Sequence, residues 1–177
     1  MDAWRELEDS ERRTVWGRFS REFQFRPSTS SAHWPGIREP STSVTYGIGH
    51  LFGRDDAESL ENDLEEKALG AFRSLVSAGD WIWALDWQHP CYRFMPHAAG
   101  TSDSFPIPVF PNGDYYIFLE PDFKWGWFGH PWERTICLWG EPLIEWIRAS
   151  PPKLFGKPVR SSTLPSHTHH ELEKRNP

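Results

Sequence analysis

Two short words in this chain place an imidazole three residues from a carboxylate: Asp86-Trp87-Gln88-His89 and His130-Pro131-Trp132-Glu133. A carboxylate at that distance can fix the tautomer of the ring and raise its basicity, as a general base or a metal ligand requires. The plainer reading is a turn in which Asp86 accepts backbone N–H groups and His89 makes one hydrogen bond, because buried polar groups find partners for stability alone. If the two words lie side by side in space, Asp86, His89, His130 and Glu133 offer a His/carboxylate set for a divalent ion. Spacing argues against a helical zinc motif, which needs two histidines four residues apart on one face, since Pro131 breaks any helix after His130. No metal and no cofactor is expected, and His130 reads as a hydrogen-bonded corner.

Other reactive types have plainer roles. Asp114 follows Asn112-Gly113 and is expected to finish a hairpin turn. Arg134, one of few bases in an acidic region, is expected to pair with Asp86, Asp122 or Glu133 and pin the loops together. Cys91 stands two residues after His89, a spacing that puts both side chains on one side of an extended chain and leaves a thiolate site open. With no CxxC pair, however, Cys91 and Cys137 read first as reduced, buried thiols. Gly47-x-Gly49 is too short for a dinucleotide fingerprint. The run His167, Thr168, His169, His170 can hold metal adventitiously but presents no preorganised ligands.

The elements that must position these groups are legible as periodicity. Trp16, Phe19 and Phe23 recur at helical steps and predict a first helix over Leu7 to Phe23, ended near Pro27. Proline and hydroxyl residues make Arg26 to Ser43 an irregular connection, followed by a strand over Val44 to His50. Asp55 and Glu58 have the form of a capping box, and Leu60, Leu64, Ala68, Phe72 and Leu75 trace one face of a helix over Asp55 to Ser77, closed by Gly79. Short β-type runs follow at Trp81 to Leu85, Tyr92 to Met95, Ile107 to Phe110, Tyr115 to Leu119 and Arg134 to Trp139, with Pro111-Asn112-Gly113 as a hairpin turn. Glu141 to Arg148 reads as a short last helix. The expectation is a single α+β domain over residues 1–150, an antiparallel sheet of about five or six strands covered by two main helices, with 151–177 a flexible basic tail.

Tryptophan is the unusual component: 11 Trp with 12 Phe and 4 Tyr put much of the buried area into rings. Trp81 with Trp83, and Trp125 with Trp127, should share strand faces, while Trp87 and Trp132 flank the histidines. Most should be core, but Trp is enriched at contact hot spots, so Trp87, Trp125, Trp127 and Trp132, with Arg134, are the candidate ligand or partner contacts.

A net charge of −6 is unevenly spread, with seven acids and no base from Asp55 to Glu66, and nine acids against Arg93, Lys124 and Arg134 from Asp80 to Ile147. Such a body is unsuited to a nucleic-acid backbone and suits a basic protein partner, although a solvated helix face also explains the run. No apolar run has membrane length and the N-terminus lacks a leader pattern, so a cytoplasmic protein is expected.

The words Ala84 to His89, Pro111 to Phe118, Phe128 to Glu133 and Thr135 to Cys137, with the early Trp16, Phe19, Phe23, Phe25, Pro27 and Ser28, resemble the bacterial domain of unknown function 2716 from about Trp16 to Ile147. The resemblance transfers no catalytic residues. It implies a small stand-alone bacterial protein, and the association of some members with toxin neighbourhoods implies an immunity-type role. The leading expectation is a non-enzymatic protein-binding domain using the acidic helix or the Trp125 to Trp132 loop. The rival is a small hydrolase with His89 as base among Asp86, Asp114, His130 and Glu133, in a pocket floored by Trp87 and Trp132; a third reading fills that pocket with a small ligand. Convergence of the five polar groups would favour the rivals, and scatter the binding domain.

Overall fold

Val15, Phe19 and Phe23 are the buried side of helix α1 (Asp9–Phe23), in a computed structural model that describes residues 2–100 and 105–162. Glu11 supports the helix start by accepting the Glu8 N–H at 3.3 Å, and Gln24 closes it in the left-handed conformation. Two further helices follow, α2 (Ala57–Leu75) and α3 (Glu141–Ala149), the latter with Pro142 in its first turn, where a missing N–H costs nothing.

The expected α+β architecture with an antiparallel sheet is present, but the sheet has eight strands rather than five or six, and the described residues hold three helices. The strands are β1 (Trp4–Glu6), β2 (Ser43–Gly47), β3 (Ile82–Asp86), β4 (Tyr92–Phe94), β5 (Tyr116–Leu119), β6 (Gly126–His130), β7 (Thr135–Trp139) and β8 (Pro158–Ser162), in the spatial order β1-β4-β3-β5-β6-β7-β2-β8. Strand alternation sorts their side chains onto two apolar layers. Leu85, Ile117, Phe128 and Cys137 are cross-strand neighbours on the face covered by α1. Ala84, Phe118, Trp127 and Leu138 form the opposite stripe, which meets Phe72 and Leu64 of α2 and Ile144 of α3.

Several expected elements differ. Ile107 to Phe110 is no strand: Ile107, Val109 and Phe110 are buried, but Pro106, Pro108 and Pro111 have no N–H to give a ladder, so the segment packs without pairing and Pro111-Asn112-Gly113 joins no hairpin. Helix α2 starts after Asp56 rather than with an Asp55/Glu58 box, because the Asp56 carboxylate is taken by Arg54 at 2.7 Å. Strand β6 runs through a glycine-rich stretch because the glycines are needed there. A Cβ on Gly126 would lie 2.3 Å from the Trp139 ring, and one on Gly129 2.9 Å from Pro111.

The chain after Ser150 continues the fold rather than leaving it as a tail. Leu154 is fully buried, Phe155 stacks on Tyr46 with ring centres 4.2 Å apart, and β8 pairs with β2 as the sheet edge. Residues 163–177, with His167, Thr168, His169 and His170, lie outside the described residues.

Candidate functional site

Register decides which site residues can meet. Asp86, the last residue of β3, lies opposite Tyr116 of β5, which lies opposite Gly129 of β6. Cross-strand partners point to one face, so Asp86 belongs to the α2/α3 side and His130, one residue past Gly129, to the α1 side. The two His/carboxylate words stand two strands apart along the sheet and on opposite faces, and the four-residue set considered from the sequence does not assemble.

Asp114 is assembled instead. It stands two residues before β5, where its Oδ1 accepts the Tyr115 N–H at 2.7 Å, and its Oδ2 lies 3.7 Å from His89 Nδ1. The same ring nitrogen is 2.9 Å from Asp86 Oδ1. Asp86, His89 and Asp114 thus bring one ligand-type atom each within 4.8 Å of one another. The acids are nearly buried, with 10% of each side chain exposed, whereas the His89 side chain is 62% exposed. The hydrogen bond to Asp86 and then the Asp86 charge hold the His89 pKa above its ordinary value. Burial pushes the Asp114 carboxyl up, and the Asp86 charge adds to this against the opposing backbone hydrogen bonds.

His130 is fully buried in a different network. Its Nδ1 accepts the Glu133 N–H at 3.1 Å, so the ring carries its proton on Nε2, which faces the Tyr115 hydroxyl at 3.4 Å. That hydroxyl donates to the Ser28 carbonyl at 3.2 Å and accepts the Ser28 N–H at 3.0 Å, tying the irregular connection to the sheet. Desolvation lowers the His130 pKa to about 4. A neutral imidazole with both nitrogens engaged is a strut, not a base.

The Glu133 carboxylate turns away from His130 to Arg160 of β8. Arg160 bonds Glu133 at 2.7 and 2.9 Å and Glu39 at 2.8 to 3.1 Å, while Thr135 donates to Glu133 and Thr45 to Glu39, each at 2.8 Å. Burial opposes ionisation of Glu133, but the bonds from Arg160 and Thr135 prevail and lower its pKa. Arg160 replaces Arg134 as the cation that pins loops together: the exposed Arg134 lies 4.4 Å over the Phe52 ring and makes no ion pair among the described residues. The signal for Arg160 was a β-branched and hydroxyl run, Val159 to Ser162, in a segment otherwise read as tail.

Trp125 and Trp127 are buried core rather than contact residues: Trp125 stacks on Phe72, and Trp127 donates to the Val109 carbonyl at 3.1 Å. Trp87 and Trp132 are half-buried and both meet the Tyr115 ring, on the His130 side, so they do not floor a pocket for His89. Cys91 and Cys137 are free and buried. Desolvation raises the Cys91 pKa, and its thiol points to the carbonyls of Asp86 and His89, an environment that keeps the proton on sulfur. None of the five polar candidates lines the cavity of about 350 Å³ between α1, Trp83 and Arg93, or that of about 770 Å³ beside Arg38 and Trp139.

Helix α2 carries a second polar feature. Glu58, Glu61 and Glu65 follow one another along the helix, and no described residue forms an ion pair with any of them, whereas Asp56 has Arg54 and Asp63 has Lys153. Burial raises the pKa of Glu61 and of Glu65, and the carboxylate one turn earlier adds to the shift in each case. No helix among the described residues is long and apolar enough to cross a membrane.

Comparison with known proteins agrees with the sequence resemblance. The chain is 37% identical over 162 residues to the uncharacterized protein YxiI of Bacillus subtilis (strain 168), an alignment covering 88% of this chain and 98% of that protein. No solved structure matches. The family described as "Protein of unknown function (DUF2716)" matches residues 6–144, most of the sheet and all of α1 and α2, and the chain belongs to that family.

Proposed function

We propose that the protein is a non-enzymatic, cytoplasmic binding domain that docks a basic protein partner on the acidic side of α2. The row Glu58, Glu61 and Glu65 carries this reading. Three carboxylates on consecutive turns repel one another, Glu61 and Glu65 are partly desolvated as well, and no described residue supplies a counter-cation. Like charges at such spacing cost stability, a cost that a cationic partner would remove. The net charge of −6 would steer the same partner toward the domain. Neutralisation of a basic toxin domain, an immunity-type role, is the narrower form of this reading.

The enzymatic alternative has less support, since His89 keeps two carboxylates but loses His130, Glu133 and both tryptophans to the other face. The test is affinity capture from the producing cells at low and high salt with wild type, His89→Ala and a Glu58→Lys/Glu61→Lys/Glu65→Lys variant. A stoichiometric basic partner held by wild type and His89→Ala, and released by the lysine variant and by salt, is the expected result. Retention by the lysine variant, or a bound small molecule in place of any protein, would sink the reading.

A further inference from the structure

We propose that Asp86, His89 and Asp114 form a binding site for one divalent first-row transition cation, independent of the acidic α2 surface. Two carboxylates, each with only 10% of its side chain exposed, face one imidazole, and no described Lys or Arg pairs with either. With the ring neutral the set carries two neighbouring negative charges, which a dication cancels. Asp86 uses one oxygen for the ring and receives no hydrogen bond from a described residue on the other.

Geometry agrees. Tetrahedral coordination with bonds of about 2.0 Å separates neighbouring ligand atoms by about 3.3 Å. His89 Nδ1 stands 2.9 Å from Asp86 Oδ1 and 3.7 Å from Asp114 Oδ2, on either side of that value. The three atoms lie within 4.8 Å of one another, so a modest rotation of the carboxylates closes the set. The acids stand at the ends of paired strands, Asp86 closing β3 and Asp114 just before β5, and the Tyr115 N–H holds Asp114 Oδ1 while Oδ2 lies 3.7 Å from the ring. His89, on the exposed loop before Pro90, leaves a solvent-facing side for a fourth ligand.

Ligand chemistry narrows the ion. One imidazole nitrogen with two carboxylate oxygens suits zinc, manganese or iron, whereas calcium and magnesium prefer sets made of oxygen alone. Three protein ligands with an open position are the pattern of a site that holds water or substrate rather than one that only braces a fold.

The test is calorimetric titration of Zn²⁺ into the full chain carrying His167→Ala, His169→Ala and His170→Ala, which removes the clustered C-terminal imidazoles, with His89→Ala and Asp114→Asn added separately. One equivalent should bind, and each added substitution should weaken binding about tenfold or more. The exposed His89 ring can be removed without disturbing the core, and a melting midpoint unchanged at a pH where the ring is neutral checks this, so His89→Ala decides the matter even if Asp114→Asn fails to fold. Absence of saturable binding in the parent variant, or equal affinity after His89→Ala, would overturn the proposal.

Discussion

The two His/carboxylate words have the same three-residue spacing and end in opposite states. His89 projects from a loop, bonds the Asp86 side chain and is driven toward its charged form. His130 closes β6, is sealed by Tyr115 and Trp132, accepts the backbone N–H of Glu133 instead of its carboxylate, and is driven toward its neutral form. Proximity of a carboxylate in sequence therefore says little about a histidine. What decides is the face of the sheet it occupies and whether a stronger cation, here Arg160, claims the acid first.

The largest effect should come from breaking the buried member. His130→Ala removes a packed ring and leaves the Glu133 N–H without its acceptor, which should cost about 3 kcal/mol in urea unfolding. The pH profile sharpens the same contrast. His130 titrates at about 4 when folded and near 6.5 when unfolded, so between those values the unfolded chain binds more protons and stability rises with pH. That contribution, about 3 kcal/mol, is complete above pH 6.5 and gone below about pH 4, and His130→Gln should flatten this part of the profile.

Arg160→Ala leaves the mostly buried Glu39 and Glu133 without their shared cation and loosens β8, with an expected loss of about 2 kcal/mol, since the partly exposed guanidinium is already screened. Glu65→Gln should raise the melting midpoint slightly at neutral pH. The folded Glu65 carboxyl binds its proton more tightly than the unfolded one, so its charge costs stability above its raised pKa, and the gain from glutamine should fade as pH falls through that raised pKa and be gone below about 4.5. His89→Ala, in the absence of added metal, should lower the midpoint slightly below about pH 6.5, where the charged ring pairs with Asp86, and leave it unchanged well above the raised His89 pKa.

Much of the fold was legible because it rests on local pattern. The stripe Leu60, Leu64, Ala68 and Phe72 marked α2, and β-type runs located β3, β4, β5 and β7. The missed strands lacked that pattern for physical reasons. Trp4–Glu6 and Pro158–Ser162 are exposed edges with little apolar alternation, and β6 carries glycines where the Trp139 ring and Pro111 approach its backbone. The prolines among Ile107 to Phe110 misled in the other direction, since the run is buried and apolar but cannot donate a ladder.

At the site, the Asp86–His89 bond followed from spacing. Asp114 joined it through strand pairing, and His130 left it through a one-residue difference in parity, neither of which a single word of sequence encodes. The pairing of Arg160 was hidden for a related reason: its partners Glu39 and Glu133 are far away in sequence, and the β2–β8 pairing brings them together.

The most direct test of the contrast between the two histidines is an NMR titration of ¹⁵N-labelled imidazoles in metal-free buffer, with His89→Ala and His130→Gln used to assign the signals. His130 should remain neutral, in the Nε2–H form, down to about pH 4, while His89 should titrate above its ordinary value. Titration of His130 near 6.5, or a proton on its Nδ1, would contradict the account.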